Sequence, residues 1–149
     1  MAPPAQRIRN IAVGIVVRDG RALVEIYPAT DRHGMFARAI GGGIEFGESA
    51  VDAVQREFEE ELGVVLSRAE PLAITENFFR VGGRLGHEIV HVFAVASPQL
   101  DDLAIDGELA VLDNHTTVRW VPLESLRAGS PPFFPDGMAE LAAALDEAP

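Results

Sequence analysis

Three glutamates in this 149-residue sequence, Glu57, Glu60 and Glu61, have a spacing that could place three carboxylates around one metal ion. On a helix turning about 100° per residue they share an arc of roughly 100°, whereas Glu59 points towards solvent. Like charges one turn apart destabilise a free helix by a few tenths of a kcal/mol. A hard cation with oxygen ligands would turn that repulsion into binding. The spacing therefore indicates a metal site, although an acidic run of this kind is commonly only a solvated surface.

The helix that must carry these glutamates is predicted over residues 49–62. Ser49 and Asp52 resemble a capping box, and Gly63 stands where a glycine commonly ends a helix. One face of the helix is an apolar stripe that predicts packing against a sheet, and it consists of Ala50, Val51, Val54, Phe58 and Leu62.

Upstream of the helix, an apolar stretch over residues 35–40 runs into three consecutive glycines, Gly41, Gly42 and Gly43. Glycine allows backbone conformations and close approaches that a side chain would block. This is the first segment of the chain whose composition favours contact with a ligand.

The remaining elements are predicted to be mostly strands. Residues 8–17 and 22–27 are rich in Ile and Val on either side of Asp19-Gly20, which predicts a β-hairpin. The other predicted segments are strands over residues 71–80, 87–96 and 116–121, a loop over residues 28–34, an acidic irregular segment over residues 98–114 and an amphipathic helix over residues 136–147. This mixture predicts a single α/β domain covering residues 1–149.

Residues 42–64 also follow a regular pattern, which is Gly42, five residues, Glu48, seven residues, Arg56, Glu57, an apolar residue, any residue, Glu60, Glu61, any residue, Gly63 and an apolar residue. This pattern matches the Nudix box at every fixed position, so the chain is identified as a member of the Nudix hydrolase family. The resemblance implies a Nudix-type α/β/α sandwich with a mixed β-sheet. It also implies Mg²⁺-dependent hydrolysis of a diphosphate linkage in a nucleoside diphosphate linked to another group.

The family resemblance assigns roles to particular residues. Glu57, Glu60 and Glu61 match positions that bind Mg²⁺, for which Mn²⁺ is an acceptable substitute, or that activate the attacking water. Gly41 matches a position whose backbone carbonyl often adds a metal ligand. Arg56 and Glu48 match residues that usually orient the carboxylates, and the i,i+4 spacing of Arg56 from Glu60 independently fits that role.

The general base must take a proton from the attacking water, and family members differ in which residue does so. Glu57 and Glu60 are the candidates within the box, acting directly or through the metal. Some members recruit a glutamate outside the box, and Glu76, Glu88 and Glu108 are the candidates of this kind. Each of these three is otherwise explained as a surface acid or a residue of a sheet edge.

A second motif points to a different class of hydrolase. Residues 87–91 spell H-E-x-x-H, the motif of zinc proteases, in which two histidines on one helix face bind zinc. The surrounding residues are β-branched and aromatic, which predicts a strand and places His87 and His91 about 13 Å apart. Zinc binds nitrogen at about 2.0 to 2.1 Å, so the two rings could hardly share one ion. We expect packing or substrate contact for both histidines.

The substrate is only partly indicated. Arg38 could bind phosphate, Phe134 could stack on a base, and Glu76 and Glu88 are further candidates for substrate contact, although packing or solvation is the simpler explanation for each. Ile40 stands where many relatives have a proline before the glycines. The chain also lacks suitably placed proline, tyrosine and asparagine markers of three substrate classes, so the sequence matches no specificity class.

Composition narrows the range of partners. All 12 basic residues are arginines and face 23 acidic residues, a formal net charge of -11, so no nucleic-acid polymer is expected as a partner. A small nucleotide-like ligand is compatible, because a bound cation reverses the local charge. No apolar run is long enough to span a bilayer and no signal sequence is recognised, so we expect a cytoplasmic protein without a membrane partner.

Three rival functions are weighed against this one. A non-enzymatic nucleotide-binding sensor with a Nudix fold would have no need of all three helix carboxylates. Isoprenoid-diphosphate isomerases of the same fold share a catalytic cysteine, and this chain has no cysteine. A decapping-type RNA enzyme is disfavoured by the net charge. A homodimer is compatible with the resemblance, because many relatives pair.

Overall fold

A computed structural model describes residues 6–149, so residues 1–5 of the predicted domain lie outside the described part of the chain. The described residues form ten strands and four helices. The strands are β1 Ile8–Ile15, β2 Val17–Arg18, β3 Arg21–Tyr27, β4 Phe36–Arg38, β5 Ile40–Gly43, β6 Arg68–Val81, β7 Arg84–Ala96, β8 Glu108–Ala110, β9 Thr117–Pro122 and β10 Phe133–Phe134. The helices are α1 Ala50–Leu62, α2 Pro98–Asp101, α3 Leu123–Arg127 and α4 Met138–Glu147.

Helix α1 begins and ends at the residues that predict it. The Ser49 hydroxyl accepts a hydrogen bond from the Asp52 N–H at 3.1 Å, which satisfies a donor of the first turn. Gly63 ends the helix in the left-handed conformation, with φ 67°, and its N–H donates to the Glu59 carbonyl. The predicted helix over residues 49–62 is therefore confirmed.

The strands nearest α1 form a four-stranded sheet in the order β5-β1-β7-β6. Strands β1 and β7 are parallel, whereas the β5–β1 and β6–β7 pairs are antiparallel. The predicted α/β class with a mixed sheet is therefore confirmed. Because β5 is an edge strand beside β1, its glycines lie at the border of the sheet, where α1 contacts it.

The predicted hairpin between residues 8–17 and 22–27 is wrong. Strand β1 joins the first sheet, while β3 joins a second sheet with the order β10-β4-β3-β9-β8 and with β2 paired to β3. The turn at Asp19-Gly20, where both residues have positive φ, connects only β2 and β3. Residues 11–16 are all buried, so this run lies in the interior and crosses from one sheet to the other.

Two clusters of buried apolar side chains join the layers. One contains Phe58 of α1, and the other contains Val24 of β3 and Met138 of α4. Full burial of a side chain of this size contributes about 1.5–3 kcal/mol. Strand β1 supplies Ala12 to the first cluster and Val13 to the second, because successive strand residues point to opposite faces. Strand β1 therefore lies between α1 and α4, as in the predicted sandwich.

The segment predicted to be irregular, residues 98–114, contains two short elements. The Ser97 hydroxyl caps α2 by accepting from the Gln99 N–H at 3.3 Å, and β8 pairs with β9. Helix α3 and strand β10 have no counterpart among the predicted elements, because five and two residues are too few to show periodicity. No helix within residues 6–149 combines the length and the apolar character that crossing a bilayer requires.

Candidate active site

The glycines of β5 bring a carboxylate of α1 against the sheet. A Cβ atom on Gly42 would lie 2.7 Å from the carboxyl carbon of Glu57, so any side chain here would displace that carboxylate. A Cβ atom on Gly41 would collide with the carbonyl oxygen of Ala12, and the φ of Gly41, 152°, favours glycine. The absence of side chains at Gly41 and Gly42 therefore allows Glu57 to lie directly on the strand.

Arg56 connects this strand to α1 and to the loop before the helix. Its Nε and Nη2 donate to the two carboxylate oxygens of Glu48 at 2.8 and 2.9 Å. Nη2 also donates to the Gly43 carbonyl at 2.9 Å. Nη1 donates to Glu57 at 3.0 Å and to Glu60 at 3.2 Å. Charge-assisted bonds in this forked geometry are short and directional, so they fix the orientation of the carboxylates.

Glu48 keeps Arg56 in place from the loop side. Its Oε1 accepts from the Glu45 N–H at 3.1 Å as well as from Arg56. The Arg56 guanidinium and this backbone N–H together lower the pKa of Glu48 to about 2. Glu48 is therefore ionised throughout the neutral range, and its contact with Arg56 persists there.

Glu57 and Glu61 form a pair of interacting carboxyl groups. Burial raises the pKa of Glu61 to about 9, and a hydrogen bond with Glu57 acts in the same direction. The negative charges of Glu25, Glu57 and Asp113 raise it further. Without a cation, Glu61 therefore keeps its proton at neutral pH. A bound cation would take the place of that proton, because metal binding requires ionised carboxylates.

The third glutamate of the predicted metal site is more exposed than this pair. The Glu60 side chain is 57% exposed and contacts Arg56. Within residues 6–149, no three acidic or histidine side chains are already arranged to hold a metal. The oxygen donors still suit a hard divalent cation. The carboxyl groups of Glu57 and Glu61 lie beside Gly41 and Gly42, and a bound cation would reduce the repulsion between them.

A cavity of about 110 Å³ opens beside Gly41 and Gly42, between the two sheets. Its walls carry three carboxyl groups and two guanidinium groups, from Glu25, Glu61, Glu88, Arg9 and Arg38. Such walls suit a ligand with both anionic groups and hydrogen-bond donors. A larger surface groove of about 350 Å³ between α3 and α4 contains no residue of the Nudix box, and we assign it no chemistry.

Of the three glutamates predicted as candidates outside the box, only Glu88 lines the cavity, where it is 1% exposed. The Glu76 side chain is 63% exposed and lies 3.6 Å from His87. It points away from the cavity because its neighbour Asn77 is the buried residue of this part of β6, and successive residues face opposite ways. Glu108 is an exposed residue of β8. The structure therefore brings neither Glu76 nor Glu108 to the cavity.

The two other predicted substrate contacts differ in position. Arg38 lines the cavity from β4. Phe134 pairs with Arg38 through the backbone of β10, but its ring packs edge-to-face against Phe36, with ring centres 6.0 Å apart. The ring of Phe134 therefore packs within a small aromatic cluster and is not a wall of the cavity.

His87 and His91 lie in strand β7, as predicted. His87 stacks on Phe78 of the neighbouring strand, with ring centres 4.3 Å apart. The zinc-protease motif requires both histidines on one helix face, so this strand rules out that geometry.

Sequence reasoning missed a buried acid, Glu25, on the wall of the cavity. Its carboxylate oxygens accept hydrogen bonds from the Thr116 hydroxyl at 3.0 Å and the Tyr27 hydroxyl at 3.2 Å. Burial raises the pKa of Glu25, and the two hydroxyl donors oppose that shift. The available signal was a single acidic residue in the otherwise apolar run over residues 22–26.

Comparison with known proteins identifies the class to which this fold and site belong. The NUDIX domain model matches residues 8–145. An uncharacterized Nudix hydrolase of Yersinia pestis is 29% identical, covering 92% of this chain and 71% of the relative. The uncharacterized Nudix hydrolase YfcD of Salmonella typhi is 28% identical, covering 93% of this chain and 71% of the relative.

Solved structures agree with this assignment. The MutT NUDIX hydrolase from Burkholderia pseudomallei is 25% identical, with a TM-score of 0.56, and the match covers 80% of this chain and 86% of that one. The Escherichia coli ORF135 protein is 26% identical, with a TM-score of 0.61, and the match covers 95% of this chain and 93% of that one. This chain therefore belongs to the NUDIX family of hydrolases. Nudix hydrolases act on small-molecule substrates and generally use a divalent metal.

Replacing Gly42 with alanine should reduce activity strongly while leaving the fold almost unchanged. The added Cβ displaces the end of the flexible Glu57 side chain, and a misplacement of about 1 Å can cost about 10²-fold in rate. Gly43→Ala is the matched control, because its Cβ would meet only Arg9, at 3.7 Å. Hydrolysis rates and melting curves of both variants test this. Equal rates for the two would show that the contact between Gly42 and Glu57 is unimportant.

The metal-free protein should lose stability as the pH rises from about 5 to about 9. The folded-state pKa of Glu61, about 9, lies above its ordinary value of 4.5, so the folded state binds this proton more tightly. The resulting stabilisation is complete below the ordinary pKa and is lost as the pH approaches 9. Melting temperatures in chelator should therefore fall less steeply for Glu61→Gln than for the wild type. Parallel curves would contradict the assignment.

Proposed function

We propose that this protein hydrolyses a diphosphate linkage in a nucleoside diphosphate joined to another group, with Mg²⁺ as the metal and Mn²⁺ as a substitute. One observation carries the proposal. Arg56 holds the Glu57 carboxylate against Gly42 while Glu61, paired with Glu57, lines the adjoining cavity. The carboxyls that would bind the metal are therefore continuous with this cavity between the two sheets.

The residues would divide the chemistry between them. Glu57, Glu60 and Glu61, together with the Gly41 carbonyl, would hold the cation. When bound, a divalent cation neutralises diphosphate charge and lowers the pKa of a coordinated water. Glu57 or Glu60 would accept the proton of the attacking water.

The charge of the protein makes such a cation necessary. The chain carries a formal net charge of -11, and three carboxyl groups line the cavity. A diphosphate would be repelled from these walls without added positive charge. Arg9 and Arg38 are the guanidinium groups that the cavity itself offers to an anion.

Glu57→Gln and Glu61→Gln should each lose activity by about 10²-fold or more, because each removes a metal ligand or a candidate general base, and this is the usual scale for a positioned proton-transfer group. Glu59→Gln, which changes an exposed carboxylate of the same helix, should keep the wild-type rate. Of the two active-site variants, Glu57→Gln should melt slightly lower, because it weakens the contact with Arg56. The measurement is kcat on a panel of nucleoside diphosphate derivatives at saturating Mg²⁺, with melting curves for each variant.

Chelation of the metal should abolish turnover on the same panel. Full activity in metal-free buffer, or equal losses at all three positions, would contradict the proposed site. Binding of nucleotides without turnover of any panel member would instead favour the non-enzymatic sensor.

A further inference from the structure

One carboxylate oxygen in the cavity has no hydrogen-bond partner. Glu88 is 1% exposed, and its Oε1 accepts from the Asn77 amide at 3.1 Å. Its Oε2 is buried and accepts no hydrogen bond from any described residue. Arg9 is the nearest cation, and its Nη1 lies 3.6 Å from Oε2, which is beyond a normal hydrogen bond. Buried carboxylate oxygens are costly to leave unsatisfied, so this atom is a candidate acceptor for a donor group of a ligand.

The surrounding contacts hold the Glu88 carboxylate in one orientation. Asn77 donates to Glu88 through its amide nitrogen and accepts from the Asp136 N–H through its amide oxygen at 3.4 Å. Both bonds agree on which end of the Asn77 amide faces the carboxylate. Asn77 and Arg9 flank Glu88 on the two neighbouring strands, so the free oxygen is directed rather than mobile.

The chemistry of this oxygen restricts what can lie beside it. An ionised carboxylate only accepts hydrogen bonds, and it repels a phosphate group. Its ligand must therefore present an N–H or O–H donor. The neighbouring guanidinium of Arg9 is a donor, so Glu88 and Arg9 together offer a ligand one hydrogen-bond acceptor and one donor side by side.

The position of Glu88 along the sheet indicates which part of a substrate it meets. Val13 pairs with Gly41, and Arg9 pairs with Glu88. These two residues of β1 are four positions apart, which corresponds to about 13 Å along the strand. A diphosphate bound at the glycines and the α1 carboxyls would thus leave its attached nucleoside, and above all the base, at the Glu88 end of the cavity.

The geometry points to Glu88 as the residue that selects the base of the substrate. It accepts a hydrogen bond from an exocyclic amino group, while Arg9 donates to the unprotonated ring nitrogen beside that group. Nucleotides of amino-bearing bases, such as cytosine and guanine, are therefore favoured over their oxo or unsubstituted counterparts, uracil and hypoxanthine. This inference rests on the proposed nucleotide substrate, but it concerns binding rather than hydrolysis.

The test compares the binding of paired nucleoside monophosphates by calorimetry in Mg²⁺, which requires no turnover. The pairs are CMP with UMP and GMP with IMP. The wild type should bind the amino-bearing member about 10- to 100-fold more tightly, the scale of a hydrogen bond to a charged group. Glu88→Gln should lose this preference, because its amide can place a donor at the free position while still accepting from Asn77. Glu76→Gln, an exposed acid on the neighbouring strand, should keep it.

Several results would overturn the inference. Equal affinities within both pairs for the wild type would do so without any variant, even if Glu88→Gln failed to fold. A preference that persists in a folded Glu88→Gln variant would assign base selection to another residue. A preference for ribose over deoxyribose in place of the amino preference would assign Glu88 to the sugar. Absence of binding by all four nucleotides would also exclude base selection, whereas turnover of another diphosphate would leave the proposed hydrolysis standing.

Discussion

The site depends on the hydrogen bonds donated by the Arg56 guanidinium, because this one planar group joins three separate segments of the chain. It donates to Glu48 in the loop before α1, to the Gly43 carbonyl at the end of β5, and to Glu57 and Glu60 on α1. A single exposed ion pair contributes only about 0–1 kcal/mol, but this network is two-pronged at Glu48 and its arginine side chain is 23% exposed. Its main effect is positional. The network fixes where the helix carboxylates lie relative to the glycine strand.

The carboxyl groups that Arg56 orients stand in a region of crowded negative charge. Burial, together with the neighbouring Glu57, raises the pKa of Glu61 so that it retains a proton far above the usual pH for a carboxyl. The same crowding that disfavours ionisation in the metal-free protein provides oxygen ligands once a divalent cation is present. The fold therefore tolerates a local electrostatic cost at the place where a cation would bind. The cavity extends from Glu61 to Glu88, so the proposed cation site and the proposed base site would be two ends of one space.

Local signals made part of this structure predictable. Ser49 and Gly63 predict the limits of α1 because capping depends on neighbouring residues alone, and the spacing of the Nudix box predicts which side chains face β5. The hairpin expected for β1 was wrong because strand pairing is decided across the chain, and β5 and β7 occupy the two edges of β1. For the same reason the sequence could not separate Glu88 from Glu76. The faces of β6 and β7 decide which of the two glutamates lines the cavity. The buried Glu25 and Asn77 and the exposed Arg9 become neighbours of the site only through pairing between distant strands.

Arg56→Lys tests most directly whether Arg56 orders the carboxylates for metal binding. Lysine keeps the positive charge but loses the planar fork that contacts Glu48, Gly43 and the helix glutamates simultaneously. Mn²⁺ affinity, measured from the electron paramagnetic resonance signal of free Mn²⁺, should weaken by about 10- to 100-fold, the usual cost of losing a residue that orients metal ligands. A melting curve of the same sample shows whether the fold persists. Unchanged Mn²⁺ affinity in a folded Arg56→Lys variant would contradict the account.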